Sequence, residues 1–395
     1  MGKIVVRLLS IVFSSSLIFA CLTVFSKRGQ IGLGCRTFLS GAFMCAALLL
    51  WVIEYWQTSK APDKIGRLGK KKGFDWGMHY FRAFAILSIM GCHYAAVFGY
   101  MKLVNVALTS CTIFFLFISG YLCQYIDTRR REAPIAYYRK KITNVICPFL
   151  IFSLLFAYLK GTFCFNLDFV AYVLQGCAQG QYWYIPFVSG LFLVSPLICR
   201  MGNRSLMLTL VVTFFFFLMF PFRPGGFALA WPHIFYLYTY FTFFYIVGFV
   251  YCRNRELIDT AIRPFWYLFA VGALFLLLIL WQPTLIGLKC AERGLVIGMQ
   301  RFLVLICALL ALKFLKDRRI RLLDKIADYS FTLYFIHFGL FAMTHPVHDF
   351  LIAHLPAPVL FSEFLVFCLY VLVMLFVSII FKEVFGKYSR SFLGT

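Results

Sequence analysis

Long apolar stretches alternate with short polar links along the whole chain. A helix of some twenty apolar residues crosses a hydrocarbon core of roughly 30 Å. About twelve stretches of this kind can be marked off, near 4–25, 37–56, 82–100, 104–125, 142–160, 182–199, 206–221, 233–251, 264–282, 294–314, 330–345 and 358–381. The pattern predicts an all-α fold, a polytopic membrane helical bundle. A basic polar stretch from Gln57 to Trp76 divides it. Residues 1–56 read as a two-helix leader, 57–76 as a basic cytoplasmic linker and 77–395 as a ten-helix body. A half-apolar stretch between Leu167 and Ala178 is expected to lie along the outer membrane surface. The run from Phe214 to Phe217 is expected to face lipid.

Composition sharpens this picture. Of 395 residues, 62% are hydrophobic and only 13% charged, about half the charge of a soluble domain. That excludes a disordered protein, a soluble nucleic-acid binder and an ordinary cytosolic enzyme. The net charge of +23 would suggest nucleic acid in a soluble chain. Here most basic residues fall in alternate links, as the positive-inside rule requires; Lys27, Arg28 and Arg36, in the first outside link, are the exception. Lys60, Lys64, Arg67, Lys70, Lys71 and Lys72 make one cluster, and Arg129, Arg130, Arg131, Arg139, Lys140 and Lys141 another. Both clusters and both termini are therefore expected in the cytoplasm, and membrane lipid is the expected surrounding.

The N-terminus imitates a signal peptide, but its apolar run is long enough to span and reads as a retained helix. The 14 cysteines lie mostly inside spans and include no CxxC pair, so no metal site is expected. Cys164 and Cys177 share an outward loop.

Ionisable groups at membrane depth are costly unless paired or hydrated, and so point to function. Arg82 opens the third span and His93 follows eleven residues later, about 16 Å deeper and roughly 20° past three full turns. The two share one helical face. Arg301 lies inside the tenth span, with Glu363 at comparable depth as a candidate ion-pair partner. Tyr334 and His337, three apart, are neighbours on one face of the eleventh. His345, His348 and His354 read as loop residues.

Several segments resemble, in order, an integral-membrane acyltransferase family (family 3) that O-acetylates bacterial polysaccharides. Arg82 and His93 are similar to its opening motif. Phe114–Leu122, Tyr137–Pro148, Tyr182–Pro186, Phe243–Gly248 and Ser330–His337 resemble its later segments. The likeness covers the ten-helix body and says nothing of the leader. One departure is that Lys141 and Asn144 stand where the family often has Arg-x-x-Arg; a lysine lacks the bidentate fork of arginine.

The resemblance implies transfer of an acyl group, commonly acetyl, from cytoplasmic acyl-CoA to a hydroxyl of an envelope glycan or lipid-linked sugar, at the bacterial inner membrane. Acyl-CoA would be a co-substrate, with no permanently bound cofactor. His93 is the expected general base, and Arg82 would orient the donor or stabilise charge at its carbonyl. Arg139, Lys140 and Lys141 would hold the polyanionic donor. Tyr184, Arg301, Tyr334, His337 and Ser119 are candidates for the acceptor pocket. Ser119 with Gly120 also reads as a small-residue pair allowing close helix approach. The alternative is a transporter of glycan precursors, which predicts inverted repeats and broken helices; Gly91 is the nearest thing to such a break.

Overall fold

The computed structural model describes residues 75–395, apart from Tyr100, 131–132, Phe165, 220–232, 283–289, Pro356, 390–391 and 393–395. The leader and nearly all of the linker lie outside the described residues. No strand forms among the described residues, and the ten body spans all correspond to helices. Among the described residues, six helical segments are long and apolar enough to cross a membrane, and a seventh arises if one pair bent by 77° counts as a single span. The chain is a multi-pass membrane protein.

The order is α1 (Trp76–Phe98), α2 (Lys102–Leu108), α3 (Thr112–Arg130), α4 (Pro134–Lys141), a π turn at Ile142–Ile146, and α5 (Cys147–Leu159). Then come α6 (Leu167–Leu174), α7 (Tyr184–Arg200), α8 (Asn203–Met219), α9 (His233–Ile262), α10 (Trp266–Trp281) and α11 (Cys290–Leu312). The bent pair α12 (Arg321–Asp328) and α13 (Ser330–Met343), α14 (His345–His354) and α15 (Val359–Phe385) complete the body.

Local chemistry sets these boundaries. Asp75 caps α1, its carboxylate accepting from the Met78 N–H at 3.2 Å. Gly99 ends α1 in the left-handed conformation, at φ 79°. Between them α1 runs unbroken through Gly91. The basic segment around Tyr137, expected as a loop, is helical, because Pro134 starts α4 with its φ already set.

The tightest packing joins α3 to α9. A Cβ on Gly120 would come within 2.1 Å of the Tyr245 carbonyl, and one on Gly248 within 2.2 Å of the Phe117 carbonyl. Only glycine allows this approach. The phenylalanine run on α8 corrects the expectation of a lipid-facing patch. Phe214 and Phe217, three apart, are buried against Phe243 at 5.2 and 5.4 Å, while Phe216 is exposed. Helical period divides the run between core and exterior. On α6, Phe169 and Val173 are buried, while Leu167, Val170 and Leu174 are exposed. Cys164 and Cys177 flank it as free, exposed thiols.

One end of the bundle is basic and tied together by charge. Lys313 pairs with Asp259 at 2.9 Å, and Arg255 pairs with Asp75. Arg253 donates to the carbonyls of Ile198, Cys199 and Met201, closing the end of α7.

Candidate functional site

Two helices carry the centre of the candidate site. On α1, Arg82 Nη2 donates to Ser330 Oγ at 3.2 Å, at the start of α13. Eleven residues further, the His93 ring meets the His337 ring edge-on at 5.2 Å and the Phe338 ring at 5.2 Å. Arg82 and His93 thus lean on the same partner helix. Seven residues of α13 separate the two contacts, about two turns and roughly 10 Å. The helices run in the same direction there, with the guanidinium nearer the basic end.

A ladder of polar rings continues from this pair. His337 lies 6.1 Å from Tyr334, and Tyr334 lies 5.8 Å from Tyr184. The Tyr184 hydroxyl is 3.3 Å from Ser119 Oγ. Ser119, Tyr184, Tyr334, His337 and His93 are therefore continuous, contributed by α3, α7, α13 and α1. His337 Nδ1 faces the Leu333 carbonyl at 3.0 Å, while its Nε2 is enclosed with no partner. A buried polar atom left unpaired costs about 1–3 kcal/mol, so this nitrogen calls for an explanation.

Four expected members stand apart, Arg301 and the three basic residues of α4. Arg301 is wholly enclosed and its donors are already spent: Nε reaches the Thr109 carbonyl at 2.6 Å, Nη2 the Val106 carbonyl at 2.7 Å, and Nη1 the Gln300 side chain. It closes the last turn of α2, as a cation at a helix C-terminus does. Nor does it pair with Glu363. On α4, Arg139 and Lys140 are exposed. Lys141 lies 3.9 Å over the Phe192 ring of α7, a different neighbour from that of Arg82. The π turn that follows it widens the backbone where such turns often mark function.

The histidines read as loop residues are helical. His348 is fully buried on α14, 3.1 Å from Glu363 Oε2 and 3.0 Å from the Tyr94 hydroxyl, which itself donates to Glu363 at 2.6 Å. The Phe98 ring stacks on His348 at 3.7 Å. Pro346, at the start of α14, admits helix where the sequence suggested a link. The lone acid of an apolar span, Glu363, was the available signal. Asp349, outside the spans, takes a hydrogen bond from His348, which holds its carboxyl below the usual range.

At the basic end, ligand atoms of His79, Asp324 and Asp328 lie within 4.8 Å of one another. Both oxygens of Asp324 are already engaged, by His79 and by Arg319, so ion pairing accounts for the group.

Residues 75–383 match the family described as "Acyltransferase domain". The chain belongs to acyltransferase family 3. The match covers the whole described bundle up to the last turn of α15, and it makes the protein a membrane acyltransferase. No curated protein and no solved structure matches it.

Proposed function

We propose that this membrane acyltransferase moves an acyl group, acetyl in the simplest case, from acyl-CoA at the basic end to a hydroxyl of an envelope glycan or lipid-linked sugar. The observation carrying the proposal is the shared docking of Arg82 and His93 on α13. It puts a cation nearer the basic end and an imidazole beside the polar ladder, on one line through the bundle. In a bacterial inner membrane, that end would face the cytoplasm, the source of the thioester.

In the proposed reaction His93 accepts the acceptor hydroxyl's proton as oxygen attacks the thioester carbon. The new C–O bond forms and the C–S bond breaks. The CoA thiolate leaves and recovers the proton from the imidazolium, so charge and protons balance. Arg82 stabilises the negative charge that develops at the carbonyl. Arg139, Lys140 and Lys141 attract the donor's phosphates, with Lys141 as a point charge rather than a fork. His337 and Tyr334 line the acceptor side.

The test is direct. His93→Ala, recovered in membranes at the parent's level, should lose acyl transfer from radiolabelled acetyl-CoA to host glycan. Undiminished transfer removes His93 from the mechanism. Glycan export should continue, whereas a transporter would lose it. α1 runs unbroken through Gly91, so the break that a transporter would place there does not form; the 77° bend falls between α12 and α13.

A further inference from the structure

We infer that Gln181 reads two adjacent hydroxyls of a sugar acceptor beside His93; this rests on the transferase reading above. Gln181 is 3% exposed, and both its amide nitrogen and its amide oxygen are enclosed without a partner. Three other glutamines are equally buried, and each has one: Gln124 binds Arg253, Gln179 binds Lys160 and Gln300 binds Arg301. Gln181 alone in this group holds an unspent donor and an unspent acceptor. Leaving both unmade is unfavourable unless a ligand completes them.

The backbone around it is fixed. The Tyr334 hydroxyl donates to the Gln181 carbonyl, and the Tyr182 hydroxyl donates to the Phe335 carbonyl at 2.8 Å. Lys160 Nζ donates to the Ala178 carbonyl at 2.8 Å. Gly176, at φ 75°, leaves no room for a Cβ, which would meet the Tyr182 carbonyl at 2.6 Å. This turn is folded into the bundle just before α7. In a membrane protein, non-helical backbone is tolerated where protein encloses it or where it borders a cavity.

The turn abuts the imidazole wall. Gly180 packs against Phe338, 3.8 Å from where its Cβ would stand, and the Phe338 ring touches His93. Tyr334, bonded to the Gln181 backbone, touches His337, whose Nε2 is likewise unpartnered. A primary amide presents a donor and an acceptor side by side. A vicinal diol matches both, and a lone alcohol matches one.

The experiment uses the full chain in lipid vesicles and follows thermal unfolding with methyl β-D-glucoside or cyclohexanol as probes. The parent should be stabilised by the glucoside and not by cyclohexanol. Gln181→Met, which keeps the length and removes the unpaired amide, should unfold at or above the parent's temperature without ligand and lose the glucoside shift. A Met variant that unfolds earlier would mean the amide is structural and overturns the inference. So does an equal glucoside shift in both proteins, or no shift in the parent. His93→Ala should keep the shift while losing acyl transfer. If that variant keeps both, the transferase mechanism fails while Gln181 stands as a sugar contact.

Discussion

His93 and Tyr94 are consecutive on α1, point to different faces, and meet opposite kinds of surroundings. On one face His93 meets His337, whose Nε2 has no partner, and the neighbouring turn holds the unpaired amide of Gln181. On the other, Tyr94 joins His348 and Glu363 in a buried network where only Glu363 Oε1 lacks a partner. Both faces carry a buried histidine. The difference is whether the polar atoms are spent. A network spent but for one carboxylate oxygen holds α1, α14 and α15 together, whereas on the other face the free atoms of His337 and Gln181 keep binding capacity in reserve. Burial of an ionisable group therefore does not by itself mark chemistry, and Arg301, enclosed and fully engaged, teaches the same.

The sharpest way to break the comparison is at its two histidine faces. His93→Ala should lower acyl transfer by about 10²–10⁴-fold, the usual worth of a positioned base, with little change in thermal unfolding; a loss under threefold would erase the distinction. Glu363→Ala should act in the opposite sense. It strips His348 and Tyr94 of their carboxylate and should destabilise the fold by about 3–5 kcal/mol, read as earlier unfolding in detergent. A Glu363→Ala protein that melts like the parent but cannot transfer acyl groups would move the catalytic face to the other side of α1. Arg301→Lys should cost about 2 kcal/mol by abandoning carbonyls of α2, again read by melting rather than by turnover per folded molecule. Ser119→Ala removes one hydrogen bond to Tyr184 and should slow transfer no more than about fivefold, near 1 kcal/mol; complete loss would instead indicate an acylated serine. The smallest effect concerns pH. The Asp349 carboxyl is held low by His348, so its stabilising contribution is present above its unfolded pKa of about 3.9. It is lost as pH falls through the lower folded value. Asp349→Asn should flatten this acid limb of the unfolding curve; an unchanged limb would show that the hydrogen bond contributes nothing.

Much of this was legible in the sequence for physical reasons. Apolar length reports helix directly, so each of the ten apolar stretches of the body falls on helix. The eleven-residue spacing of Arg82 and His93 fixed their common face before any neighbour was known. What escaped needed the third dimension. The partner of Arg301 is a set of backbone carbonyls, which no residue pattern encodes. His348 looked like a link because Pro346 and flanking polar residues imitate one. Phe214 and Phe217 looked lipid-facing because a run of one residue type hides its own helical period. Gln181 sits in a short polar turn, where glutamine is unremarkable until its amide is found enclosed.

The glycine contact between α3 and α9 bears on how rigid the candidate site is. With main chains touching at Gly120 and Gly248, these two rods cannot slide or part without losing their whole seam, and they act as a single beam. Ser119 rides on that beam, so the hydroxyl it turns toward Tyr184 sits on a rigid support. Give in the bundle is instead expected beside α4 and α5, where the π turn at Ile142–Ile146 interrupts the regular helix.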